Sequence, residues 1–201
     1  MLKKISLIVL SIFFLSACSL LPNNTDKNIN LDKETSPTMT QPTTSEPSPS
    51  KKPLTEGETL IKIKTKNGDI VAKLYQEQTP NTVANFLSKS NSGFYNGLTF
   101  HRVIEGFMAQ GGDPTGTGMG GGKQTSELNN IPFKRGSFGL ARTAETKTVS
   151  NDSQFFICFT TEGCQHLTSD YVNFGEVVSG LEFLDKIVQG DKILEISPIT
   201  K

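Results

Sequence analysis

The chain contains no tryptophan, three cysteines and two histidines in 201 residues. So few sulfur and imidazole ligands exclude a multi-disulfide scaffold and a zinc ribbon. Lys and Arg number 20, and Asp and Glu also number 20. With no excess of either sign, the chain is neither a polybasic nucleic-acid binder nor an acidic solvating tail. Hydrophobic residues make up only 35%, which points to a stretch that builds no core. The longest apolar run at the start, Ile5 to Leu15, falls short of the ~20 residues a membrane-spanning helix needs. Aromatics are missing between Phe14 and Tyr75. What is plentiful is glycine, with 18 residues, and phenylalanine, with 13, a composition that suits a turn-rich, β-heavy domain.

Lys3 and Lys4 precede the apolar run, and Leu15-Ser16-Ala17-Cys18 ends it. A basic start, a short greasy segment and small residues at a cut point describe a secretory signal. The Leu-Ser-Ala-Cys ending resembles the bacterial lipoprotein box, which implies cleavage before Cys18 and a diacylglycerol on its thiol. Residues 1–17 are then a signal peptide. Their loss removes Lys3 and Lys4 and leaves 18 basic against 20 acidic groups. Residues 22–56 hold six of the ten prolines, with Ser and Thr filling much of the rest. Such a segment buries too little apolar surface to offset its chain entropy, so 18–56 is expected to be a disordered, extended tether. The expected location is the cell envelope, with the domain on the extracytoplasmic side of a membrane.

Residues 57–201 are long enough for one ordinary core. Thr59 to Thr65 alternates Ile61 and Ile63 against Lys62 and Lys64. Asn67-Gly68 follows, and Ile70, Ala72 and Leu74 alternate again, the pattern of a β-hairpin. Thr79-Pro80 opens a helix with Val83, Phe86 and Leu87 on one face. Leu98 to Ile104 and Gln154 to Phe159 read as strands, the second apolar on both faces and therefore central. Ser179 and Glu182 form a capping box for a helix carrying Leu181, Leu184, Ile187 and Val188, which Gly190 ends. Several strands and two helices suggest an antiparallel barrel or sandwich plugged by helices.

Seven glycines lie between Gly111 and Gly122, and Gly116, Gly118 and Gly121 satisfy G-x-G-x-x-G. A dinucleotide site needs that pattern to open a helix, yet Lys123 to Ile131 has no apolar stripe. A P-loop fails too, because Thr117 stands where its first glycine belongs and Gln124 replaces the Ser or Thr. The loop instead suits a tight turn beside a binding groove, where backbone passes close to a ligand.

The most informative stretch is Phe100-His101-Arg102-Val103-Ile104-Glu105-Gly106-Phe107-Met108-Ala109-Gln110-Gly111-Gly112-Asp113. With Ser153-Gln154-Phe155-Phe156-Ile157, and Leu167 followed by Tyr171-Val172-Asn173-Phe174-Gly175, it resembles the cyclophilins, the peptidyl-prolyl cis/trans isomerases. The resemblance covers 57–201. It implies a closed eight-stranded antiparallel β-barrel with two capping α-helices, and an isomerase that uses no cofactor and no metal. Arg102 matches the catalytic arginine. Phe107, Met108, Phe156 and Leu167 match the proline pocket. Gln110 and Gln154 match polar positions, and Gln110 is able to fix Arg102 and substrate together. Ala141 and Arg142 match the segment along which the residue before the proline lies, with Arg142 where many members have Asn. The stretch from Thr143 to Asp152 is longer than in common members.

His166 stands where many animal members have Trp, and Tyr171 where they have His. Both belong to the expected substrate-binding set, and the missing indole implies weak cyclosporin binding. Cys158 and Cys164 lie six residues apart from strand to loop, placed either to pair in an oxidising compartment or to remain buried thiols. The expected partners are proline-containing exported polypeptides and, through Cys18, a membrane; no nucleic acid is expected, and the protein is expected to be a monomer. A second reading of the same residues is a catalytically weak peptide-binding chaperone or adhesion module.

Overall fold

The computed structural model describes residues 58–200. The expected signal, the lipidation site at Cys18 and the tether to residue 56 lie outside the described residues. In chain order the structure forms β1 (Thr59–Thr65), β2 (Gly68–Leu74), α1 (Pro80–Asn91), β3 (Arg102–Ile104) and β4 (Met108–Gly111). There follow β5 (Lys123–Thr125), β6 (Ser137–Leu140), β7 (Val149–Asn151), β8 (Phe155–Cys158), α2 (Thr161–Cys164) and a 3₁₀ turn, Gln165–Leu167. β9 (Asn173–Ser179), α3 (Leu181–Leu184) and β10 (Glu195–Pro198) complete the chain.

The expected hairpin forms, but its two-residue loop is Lys66-Asn67, with Thr65 facing Gly68, and not Asn67-Gly68. Gly68 takes φ +144°, and a side chain there would meet the Phe183 ring that packs against it. Ile61, Ile63, Ile70 and Ala72 turn inward and are fully buried, as period-2 alternation requires. α1 begins at Pro80, but the Thr79 hydroxyl does not cap it; it donates back to the Tyr75 carbonyl at 2.9 Å. The idle helix N–H groups of Asn81 and Thr82 donate to the Glu127 carboxylate at 3.0 and 2.8 Å. A carboxylate at this end also interacts favourably with the positive pole of the helix dipole.

Eight strands form one antiparallel sheet in the order β10-β1-β2-β9-β6-β8-β4-β3, and β5 pairs with β7 apart from it. Register shifts where β9 meets β2 and where it meets β6 bend the sheet into a curl. Val83 and Phe86 of α1 fill the hollow with Tyr95, Phe138, Phe155 and Phe174. Phe155 stacks on Phe138 and meets the Phe86 ring edge-on. β8 is central, as expected, with all four residues buried between β6 and β4.

The barrel expected from the resemblance is not closed. β3 has only three residues before the Glu105-Gly106 turn, and no ladder joins it to β10. The strand expected from Leu98 is thus confined to its end. Residues 97–100 instead bond to 190–193, with Gly97 donating to Ile193 and Phe100 to Asp191, and only Thr99 and Lys192 form a bridge. The second long helix is also absent. Ser179 ends β9, Gly180 precedes α3 in the left-handed region at φ +87°, and α3 is a single turn without a side-chain cap. The burial of Leu184 and Ile187 accounts for the apolar pattern there, while Val188 is more than half exposed.

Candidate active site

The antiparallel registers set Arg102 opposite Gln110, Gln110 opposite Phe156, and Phe156 opposite Gly139. Residues facing one another across strands emerge on one side of the sheet. This row therefore runs over the outer face, while the neighbouring Phe155 and Ile157 point into the core. Gly139 makes room for it, because a Cβ there would come within 2.1 Å of the tip of the Phe156 ring. The tip of the ring reaches over Gly139, and the ring stacks on Phe133 at 5.6 Å between centroids and 20° between planes.

Two residue pairs along the same ladder, and so on the same face, Met108 faces Cys158. Met108, Phe133, Phe156, Cys158, Cys164 and Leu167 form a second hydrophobic cluster outside the main core, with Phe107 and Tyr171 packed on it. Cys158 and Cys164 are joined in a disulfide, which resolves the two alternatives for these residues. The bond holds the 3₁₀ turn against β8, so that Leu167 reaches the cluster. Thr160 secures the same segment: its hydroxyl accepts from the Gly163 N–H and donates to the Gly106 carbonyl at 2.6 Å.

The result is a pocket of about 170 Å³ walled by Phe107, Met108, Phe156, Leu167 and Tyr171, with Arg102 and Gln110 on one side and Ala141 and Arg142 on the other. Arg102 is exposed on its short edge strand. Its Nη1 lies 3.4 Å from Gln110 Oε1 and 3.8 Å from Met108 Sδ, leaving its other donors to the groove. Gln110 Nε2 donates to Gln154 Oε1 at 2.9 Å, and Gln154 Nε2 donates to the carbonyls of Gly120 and Gly118 at 2.7 and 3.1 Å. The arginine is thus steered through two amides from the glycine loop.

That loop is anchored by Asp113, which is buried and whose carboxylate accepts from the Thr115 N–H, the Thr115 hydroxyl and the Gly118 N–H. Burial pulls its pKa upward, but hydrogen bonds from Thr115, Gly118 and Gly120 overcome this and hold it down at about 2. His101 behaves oppositely: burial lowers its pKa, which Asp113 partly offsets and Arg102 reinforces.

Eight of the expected substrate-site residues plus Arg102 meet in or beside this hollow. Gln154, in contrast, lies behind Gln110 and is almost fully buried, with its amide groups used internally. His166 projects outward from the 3₁₀ turn and lies against the Phe107 ring at 5.8 Å, outside the pocket wall. The Arg142 side chain is engaged as well as its position: Nε donates to the Asp170 carbonyl, Nη1 to the carbonyls of Thr143 and Thr146, and the guanidinium sits 4.3 Å from the Tyr171 ring centre. Sequence reasoning missed Phe133 and the anchoring work of Asp113. The first carries no local signal, whereas Asp113 closes the informative stretch and precedes the glycines it holds.

A family model described as cyclophilin type peptidyl-prolyl cis-trans isomerase/CLD matches residues 60–200. A peptidyl-prolyl cis-trans isomerase of Helicobacter pylori is 44% identical over 137 residues, covering 65% of this chain and 81% of that protein. Peptidyl-prolyl cis-trans isomerase B of Bacillus subtilis is 44% identical over 128 residues, covering 62% and 86%. A crystal structure of a cyclophilin type peptidyl-prolyl cis-trans isomerase from Cryptosporidium parvum superposes with a TM-score of 0.66 at 31% identity, covering 72% of this chain and 99% of that one. Motif order, curled sheet, outer-face pocket and these likenesses agree: the chain belongs to the cyclophilin-type peptidyl-prolyl cis-trans isomerases.

Proposed function

We propose that the outer-face pocket holds the proline ring and that Arg102 carries the catalysis. The observation that carries this reading is the cross-strand row that sets the Arg102 guanidinium, held at Nη1 by Gln110, beside an apolar hollow. An X-Pro bond turns over a barrier of ~18–20 kcal/mol because amide resonance resists twisting. No covalent bond breaks, so the protein needs a slot for the ring and a donor for the twisted amide. As the bond rotates, its nitrogen pyramidalises and becomes a better acceptor. A donor from Arg102 that strengthens only then favours the transition state over both the cis and the trans ground states. Gln110 and Gln154 hold the donor in place, so little reorganisation is needed during rotation. A structure of the Cryptosporidium protein was obtained in the presence of the dipeptide Ala-Pro, which supports a site of this kind for proline-containing peptides. The residue before the proline lies along Ala141 and Arg142, whose main-chain N–H and C=O at Arg142 enter no hydrogen bond among the described residues.

The substrates in this reading are exported polypeptides, and the domain is held at a membrane by lipid on Cys18. Its support is the segment 1–17 with its Leu-Ser-Ala-Cys ending and the Cys158–Cys164 disulfide, a bond that persists in oxidising compartments. A short X-Pro peptide assay tests the catalytic part. Wild type accelerates isomerisation, and Arg102→Ala lowers kcat/KM by about 100-fold, the usual cost of one transition-state donor, with an unchanged melting temperature. Equal rates for both proteins and buffer, with peptide still bound, would establish the binding-module reading instead. Mass spectrometry of the mature N-terminus checks the lipid: a diacylated Cys18 is expected, and an intact Met1 contradicts it.

A further inference from the structure

We propose that the hollow beside the Glu105-Gly106 turn, across the β3 edge from the proline pocket, docks an extended segment of another polypeptide in which a bulky apolar residue is flanked by lysine or arginine. Val103 follows Arg102 on β3, so it points to the opposite face of the strand and packs against the main core. With Phe159, Ile187 and Val188 it walls a hollow of about 610 Å³, larger than the proline pocket and sharing no residue with it. Two features of the fold leave this hollow open. β3 stops after Ile104 and ends the sheet order, so its outer edge joins no ladder. α3 stops at Leu184, and the chain continues in short turns, with the Ile187 N–H donating to the Leu184 carbonyl and the Asp191 N–H to the Val188 carbonyl.

The floor of the hollow is apolar. Phe159 and Ile187 are buried there, whereas Val188 is 54% exposed. Its charges do not balance. Arg135 and Asp185 close a bidentate pair, both bonds at 2.8 Å, and Arg135 also donates to the Phe159 carbonyl at 2.6 Å. Glu105 lines the same hollow and makes no ion pair and no hydrogen bond among the described residues. The charge offered to a ligand is therefore negative, and it selects a cation beside whatever apolar group fills the floor. The same carboxylate repels anionic lipid headgroups. The few residues lining the hollow fall short of the ~20–30 a side that a stable protein interface buries, so it suits one strand-like segment and not a second folded copy. An open strand edge beside an apolar slot is what an extended peptide uses, with its backbone on the edge and a side chain in the slot. The Thr160 hydroxyl is committed between the Gly163 N–H and the Gly106 carbonyl and steadies the turn, while the exposed Gln189 amide enters no hydrogen bond among the described residues.

The test titrates the full chain with two capped, proline-free peptides, Ala-Lys-Leu-Phe-Lys-Ala and Ala-Glu-Leu-Phe-Glu-Ala, and follows backbone amides by NMR. The lysine peptide is expected to shift the amides of Val103, Gly106, Val188 and Gln189. It should bind about three- to tenfold more tightly than the glutamate peptide, since partly exposed charge pairs are worth a few-fold each. The gap narrows in high salt as the charges are screened. Glu105→Gln should remove most of the preference, and Val188→Ser should weaken both peptides several-fold; both side chains are exposed, so neither variant loses the fold. Arg102→Ala should bind the lysine peptide as wild type does, and an X-Pro peptide should not displace it. No shift at the hollow with either peptide, shifts confined to the proline pocket, or equal affinity for the two peptides overturns the inference and leaves the catalytic reading standing. A preference unchanged in Glu105→Gln overturns the role of that carboxylate. Shifts at the hollow that grow with protein concentration alone assign it to a second copy of the chain and overturn the stated occupant.

Discussion

Asp113 performs its work in ionised form, since its carboxylate only accepts, from Thr115, Gly118 and Gly120. Its pKa of about 2 in the fold lies below the ~3.9 of an unfolded chain. Its contribution to stability is therefore complete above pH 4 and is lost as pH falls through 4 toward 2. Comparing thermal stability of wild type and Asp113→Asn should show a gap that shrinks as pH falls below 4; a gap unchanged between pH 5 and 2 would contradict this. His101 adds an earlier loss in wild type, because a histidine whose pKa is lowered by burial favours folding above about 6.5 and opposes it below. At this scale the sequence was a good guide to residue types in the pocket, because the informative stretch holds Arg102, Phe107, Met108 and Gln110 together on two adjacent strands. It was a poor guide to what each polar group touches. Gln154 stays out of the proline pocket because its amide serves the Gly118 and Gly120 carbonyls, and that demand arises only once the loop has folded.

At the scale of elements, β6 and β8 are coupled through one missing side chain. A methyl group at Gly139 would displace the Phe156 ring and with it the pocket floor. Gly139→Ala should lower stability by roughly 1–3 kcal/mol, the usual cost of overpacking, and raise KM for X-Pro peptides more than it lowers kcat. Denaturant unfolding together with peptide kinetics measures both, and a variant with wild-type KM would show that the ring position is not set by β6. The hairpin β1–β2, helix α1 and central β8 were legible because period-2 and helical spacing each admitted one reading there. The region after β9 misled because Leu181, Leu184 and Ile187 also suit a single helical turn followed by buried loop, with Gly180 redirecting the chain. Similarly, Thr79 looked like a cap, but the capping carboxylate comes from Glu127, 46 residues beyond Asn81.

At the scale of the whole molecule, the curl of the sheet separates an inner core from an outer cluster, and the pocket belongs to the outer one. Whether such a sheet closes depends on pairings between distant segments, which local spacing does not encode; here the short β3 leaves the seam to residues 97–100 and 190–193. The Cys158–Cys164 bond braces the outer cluster across a six-residue separation. Closing so short a loop is worth about 2 kcal/mol, so reduction should lower stability by about that amount and loosen Leu167 from the pocket. Urea unfolding with and without reductant checks this, and equal midpoints would contradict it. The central claim is that Arg102 lowers the barrier to rotation rather than merely helping to hold the peptide. NMR exchange spectroscopy on a bound X-Pro peptide measures the two quantities separately. Arg102→Ala should slow cis/trans exchange on the protein by about 100-fold while changing peptide affinity only a few-fold. Exchange at the wild-type rate in that variant, with the fold intact, would contradict the account.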